Sequence, residues 1–116
     1  MTQRELNTVA ETAAFASRTK GRMTEEEVKQ LIDLLARDPK AGAVMRETGG
    51  IRKVRFATQG KGKSGGVRVV YYFYNETMPV FLLTVFAKNE KDNLTKDERN
   101  KLKKLTTAIR ETYGVR

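Results

Sequence analysis

Between Glu25 and Arg37 the apolar residues Val28, Leu31, Ile32 and Leu35 recur at intervals of three and four, the spacing of one buried helical face. Thr24, followed three residues later by Glu27, matches a capping box: the hydroxyl accepts from the third helical amide and the carboxylate reaches back to the cap. Asp38-Pro39 closes the pattern, because a residue before proline is pushed out of the helical region. Upstream, Glu5 to Ala10 suggests a short first strand, and the Ala-rich run from Ala10 to Arg18 suggests a helix. Downstream, KAGAVMRET reads as a short helical piece, ended by Gly49-Gly50, where the backbone turns toward the next element.

The period then changes to two. Over Ile51 to Ala57, Ile51, Lys53 and Arg55 share one parity while Arg52, Val54 and Phe56 share the other. A strand here points Val54 and Phe56 inward and projects Lys53 and Arg55 together from the opposite face. QGKGKSGG, residues 59–66, is a hairpin connection longer than a two-residue turn, and its glycines let backbone amides approach an anion closely. It is no phosphate-binding P-loop, since it runs into a strand where that motif opens a helix. VRVVYYFY (67–74) is dense in β-branched and aromatic residues and reads as a central strand. After a turn around Asn75 to Pro79, VFLLTVFAK is apolar enough for a strand buried on both faces. Thr95 and Glu98 form a second capping box, opening a C-terminal helix with Leu102, Leu105 and Ile109 on one face. With no repeat and no linker, residues 1–116 read as one domain of the α+β class. The expectation is a curved antiparallel meander of at least three strands, with the N-terminal helices and the C-terminal helix packed on one side of it.

Charge changes the picture from fold to partner. Lys and Arg number 23 against 14 acidic residues, a formal charge of +9. The excess is concentrated: Arg46, Arg52, Lys53, Arg55, Lys61, Lys63 and Arg68 face a single nearby anion, Glu47, so this segment alone carries +6. A solvated surface normally intersperses both signs, so the imbalance points to a polyanion such as nucleic acid. Cysteine and histidine are both absent, which removes disulfides, thiolate zinc sites and a histidine-based catalytic dyad. No apolar run is long enough to span a bilayer, and MTQRELNTVAETAAF lacks the apolar core of a signal peptide, so the expected compartment is the cytoplasm, with no membrane partner.

Lys53, Arg55, Arg68 and Lys88 come from three consecutive strands or their ends, and a meander brings them to one cleft. Arginines clamp phosphates bidentately, whereas Lys61 and Lys63 on the connecting loop, with Arg52 nearby, suit them as point charges. Tyr71, Tyr72 and Tyr74 offer faces for unpaired bases, which favours single-stranded RNA over duplex DNA. At least two of them must alternate into the core; Tyr72 is taken as the base contact.

The series GGIRKVRFATQGKGKSGGVRVVYYFY, followed by FLLTVFAKNEKDNLT, resembles the HigB/RelE family of bacterial toxins over residues 20–110, leaving residues 1–20 outside the resemblance. The resemblance implies a small α+β fold, cleavage of mRNA in the ribosomal A site and neutralisation by a cognate antitoxin of the HigA/RelB kind. The implied partners are that antitoxin, the 70S ribosome and mRNA, with operator DNA met only through the antitoxin, in a bacterial host or its prophage. No cofactor is implied. The family's catalytic basic residues match Lys53 and Arg55, its arginine at the scissile phosphate matches Arg68, and the basic residue after the last strand matches Lys88. Some members carry an arginine directly after that lysine and a tyrosine near the C-terminus; this chain has Asn89 in the first place and Tyr113 near its end.

Cleaving RNA by its own 2′-hydroxyl requires removing that proton, stabilising the phosphorane and protonating the departing 5′-oxygen. Arg55 and Arg68 suit the second task. For the first, without histidine, the choice lies between a lysine made less basic by neighbouring cations, with Lys53 preferred, and charge stabilisation with positioning alone. Lys88, or protonated Lys61 or Lys63, would supply the acid. Such a site gains most from a ribosome that aligns its substrate. A binding module that occupies RNA without cutting it, or a degenerate toxin that only binds its antitoxin, would show the same basic face.

Overall fold

The computed structural model describes residues 6–58, 66–91 and 93–114. Its element order is β1 (Val9–Glu11), α1 (Ala13–Arg18), α2 (Glu25–Arg37), β2 (Ala43–Val44), β3 (Ile51–Phe56), β4 (Val67–Tyr72), β5 (Val80–Ala87) and α3 (Lys96–Thr112). The strands form one five-stranded sheet in the order β1-β5-β4-β3-β2, an α+β arrangement. The expected meander is β3-β4-β5, antiparallel throughout. Two short edges extend it: β2 antiparallel to β3, and β1 parallel to β5.

Both capping boxes form. Thr24 accepts from the Glu27 amide while the Glu27 carboxylate accepts from the Thr24 amide, and Thr95 and Glu98 repeat the exchange at the start of α3. Each satisfies two amides that a helix start leaves without partners.

Every residue of β4 is buried, so the sheet is covered on both faces. On one face Val67, Val69, Tyr71, Leu82 and Val85 pack with Phe15 of α1 and Leu31 and Leu35 of α2. On the other, Ile51, Val70, Tyr72, Leu83 and Phe86 pack with Leu102 and Ile109 of α3. The helices therefore lie on both sides of the sheet, correcting the one-sided expectation. The cause is β4 and β5 themselves: strands apolar at both parities need two covers. Val54 and Phe56 face the α1–α2 core as expected, but Ile51, of the opposite parity, is fully buried too, beneath α3.

Two further differences have local causes. KAGAVMRET forms β2 and a turn where a helical piece was expected. The Tyr71 hydroxyl accepts from the Gly42 amide and donates to the Pro39 carbonyl, which draws this stretch to the sheet. Thr48 closes the turn: its hydroxyl donates to the Met45 carbonyl and accepts from the Ile51 amide, while Gly49 and Gly50 take the positive φ angles of 75° and 107° that the reversal needs. On α3 the inward stripe runs through Leu102, Thr106 and Ile109, and Leu105 falls at its margin, 38% exposed.

Candidate RNA-binding and cleavage site

Register brings two of the singled-out cations face to face. Arg55 on β3 and Arg68 on β4 are direct cross-strand partners, so their side chains leave the same face of the sheet, the face that carries α3. Lys53, two residues before Arg55, shares that face, and its Nζ donates to Asn93 Oδ1 at 3.4 Å. Arg55 is exposed at the rim. Arg68 forms the floor: it is 5% exposed, and the Val67 carbonyl, 3.4 Å from its Nη1, is among its partners.

A β-bulge decides where Lys88 belongs. Between the pairs Val70↔Thr84 and Tyr71↔Leu82, β5 holds one residue more than β4. Before the irregularity Val80 and Leu82 face the α1–α2 core; after it Val85 takes that side, and Phe86 turns to the α3 core. Phe86 pairs with Arg68, and Lys88 follows at the next position of the same parity. In an unbroken strand Lys88 would fall to the opposite face; the bulge moves it to the side of Arg55 and Arg68. The Lys88 amide donates to the Gly66 carbonyl at 3.2 Å, which continues the β4–β5 pairing by one residue. Gly66 is required there, since a Cβ would collide with the Phe56 carbonyl oxygen.

The remaining candidates fall elsewhere. Arg52 has the parity of the α1–α2 face, and its Nη1 donates to the Gly42 carbonyl at 2.7 Å. It holds the β2 approach in place, on the side of the sheet away from Lys53 and Arg55. Tyr72, expected to stack on a base, is 1% exposed in the α3 core, and its hydroxyl accepts from Arg110 Nη1 at 3.0 Å. Its ring is thus occupied by packing, and the exposed tyrosine next to it is Tyr74, 6.5 Å from it between ring centroids. Lys61 and Lys63 lie outside the described residues. Tyr113 packs edge-on against Phe81, which pairs with Tyr72 at the far end of β4 from Arg68, about 13 Å along the strand.

One acidic residue emerges that composition and charge counting passed over. Glu90, three residues beyond the end of β5, accepts from both arms of Arg22 at 2.6 Å and from the Ala87 amide at 2.7 Å. These donors, Arg22 first, hold its carboxyl down to about 2. The signal was present in KNE, an acid directly after exposed polar residues at a strand end, but its arginine partners lie some 70 residues away in sequence.

Among the described residues no cluster of acidic side chains forms a metal site, and no helix is long and apolar enough to cross a membrane. What the α3 side of the sheet offers is cationic: exposed Arg55 directly opposite buried Arg68, with Lys53 and Lys88 at positions of the same face. The family model described as the RelE toxin of the RelE/RelB toxin-antitoxin system matches residues 9–113, from β1 to the residue that caps α3, and the chain belongs to that toxin family.

Proposed function

We propose that this toxin is an endoribonuclease that cuts mRNA in the ribosomal A site through attack of a 2′-hydroxyl on the adjacent phosphate. The observation that carries the reading is the Arg55–Arg68 pair. Like charges placed directly opposite on neighbouring strands repel one another. A phosphate between or above them reverses the sign of that interaction. Arg68 acts from the floor, where low polarity strengthens its field, and Arg55 closes from the rim.

In this scheme Lys53 takes the 2′-hydroxyl proton as the oxygen attacks phosphorus. The two arginines hold the charge of the phosphorane, and Lys88 gives a proton to the departing 5′-oxygen. The products are a 2′,3′-cyclic phosphate and a free 5′-hydroxyl. Lysine side chains are modest proton-transfer catalysts near neutral pH, the base acting as its neutral amine and the acid as its ammonium, so alignment of the message by the ribosome supplies a large share of the acceleration. The antitoxin, in turn, silences the toxin by covering this face or by blocking entry to the ribosome.

A second reading has its own support in the burial of Arg68: a guanidinium this enclosed also suits a scaffold for an RNA- or ribosome-binding face that does no chemistry. Mapping of 5′ ends in a purified translation reaction with stalled ribosomes separates the two. Under the catalytic reading, wild type cuts within the A-site codon only when ribosomes are present. Arg68→Ala and the exposed-site variant Arg55→Ala lose roughly 100-fold or more in rate while still binding ribosomes. Absence of cuts with wild type, alongside intact ribosome binding, would leave the binding module.

A further inference from the structure

Lys88 is presented by a turn that is held far more firmly than a surface turn needs to be. Glu90 Oε1 accepts from the Ala87 amide at 2.7 Å, and the Glu90 amide donates back to the Ala87 carbonyl at 3.0 Å. The same carboxylate receives Arg22 through Nε and Nη2, both at 2.6 Å, and Arg18 through Nη2 at 3.4 Å. Arg22 Nη1 donates to the Arg18 carbonyl at 3.1 Å, and Arg18 Nε donates to the Val85 carbonyl at 3.0 Å. Beyond the reach of β1, that carbonyl lies on an edge of β5 that no strand among the described residues covers.

Two guanidiniums thus converge on one carboxylate that is still one-third exposed. Water alone would satisfy it, and ordering two long arginines costs conformational entropy. Stability by itself is therefore an incomplete account of the cluster. Its geometry makes better sense at Lys88, the residue carried by the turn it holds. A lysine on the same face as Arg55 and Arg68 adds to their positive charge, and on a loose turn its backbone would drift from that face. A nearby free carboxylate would also capture it. The turn is instead tied at Ala87, Glu90 is engaged by Arg18 and Arg22, and the exposed Lys88 side chain takes part in no ion pair among the described residues.

We infer that Glu90 is a positioning residue, which holds the Ala87–Glu90 turn so that Lys88 stays at the anion site, with Arg22 and Arg18 keeping its carboxylate from pairing with that lysine. The inference rests on the phosphate-site reading given above.

The test is a double-mutant cycle of Lys88→Ala and Glu90→Ala with a charge-swapped variant, Glu90→Arg with Arg22→Glu. Each is measured for single-turnover cleavage at saturating toxin in the translation reaction, for affinity toward a short single-stranded RNA, and for thermal midpoint. If Glu90 acts through Lys88, each single change slows cleavage by about tenfold or more, and the double variant is no slower than Lys88→Ala. The swapped pair regains the thermal midpoint, because the ion pair is rebuilt, but not the rate, because arginine cannot accept from the Ala87 amide. Multiplying losses in the double variant, or a swapped pair that recovers the rate, would overturn the inference and leave Glu90 as a tether for the segment after α1. Should wild type cut nothing, the cleavage reading falls, and the RNA-affinity cycle decides this one: non-additive losses sustain it, and additive losses end it.

Discussion

Tyr71 and Tyr72 are consecutive on β4, and strand alternation sends their rings into different cores. Tyr71 passes between the sheet and α2 to the start of β2, where its hydroxyl bridges the Gly42 amide and the Pro39 carbonyl, each at 2.8 Å. Burial pushes its phenol pKa up, partly offset by the Gly42 hydrogen bond. The bridge also explains the glycine: a Cβ at Gly42 would sit 2.7 Å from the Lys53 carbonyl oxygen and 2.9 Å from the Tyr71 ring. Tyr71→Phe removes the bridge, leaving two buried backbone groups without this partner at a cost of about 1–3 kcal/mol. Urea unfolding should show that loss with an unchanged slope, and cleavage by the folded variant should stay near wild type, because the ring faces away from Arg55 and Arg68. Tyr72, on the other side, ties β4 to α3 through Arg110. For these residues the sequence announced strand and burial; which tyrosine would bridge a loop and which a helix depended on partners some 30 and 38 residues away.

At the scale of elements, what was legible followed the range over which each signal acts. The α2 and α3 starts were legible because a capping box is complete within four residues. β3, β4 and β5 were legible because alternation and β-branched density are properties of the segment itself. β2 was missed because two residues carry no period, and its pairing is imposed by Tyr71 and the Thr48 turn. The bulge in β5 was missed for the same reason: nothing in VFLLTVFA marks where register shifts, yet the shift decides the face of Lys88. The candidate site was thus readable as a list of cations, but not as a geometry. Arg52 and Tyr72 looked as eligible as Lys53 until parity and burial separated them. The junction of α1 with β5 through Glu90 makes a further prediction. Its carboxyl, held near 2 by Arg22, the Ala87 amide and Arg18, lies below its unfolded value of about 4.5. A depressed carboxyl pKa contributes stability that is complete above the unfolded value and disappears as pH falls through the folded one. The thermal midpoint of wild type should therefore exceed that of Glu90→Gln at neutral pH. The gap should begin to close below about pH 4.5 and vanish near pH 2. Added salt should narrow it, since the pair is partly exposed. A gap constant across that range would mean that the ion pair contributes nothing to docking.

For the whole molecule, a charge of +9 on 116 residues gives attraction to any polyanion, so affinity for RNA by itself distinguishes nothing. What distinguishes a built site from a diffuse field is how many phosphates it neutralises and which residues set that number. Lys53, Arg55, Arg68 and Lys88 share one face, and each cation that contacts a phosphate releases counterions when single-stranded RNA binds. The logarithm of affinity should then fall with the logarithm of salt concentration at a slope of roughly −3, about −0.7 for each of the four. Removing an exposed member, Arg55→Ala or Lys88→Ala, should reduce the slope by about 0.7 and weaken binding at low salt. Arg52→Ala should leave the slope unchanged, because that side chain is turned to the other side of the sheet and spent on the Gly42 carbonyl. Filter binding of a short unstructured RNA across a salt series makes the comparison. A slope that responds equally to Arg52 and Arg55 would mean that the net charge, and not the α3 face, governs the binding of RNA; the directly opposed arginines would then need another explanation.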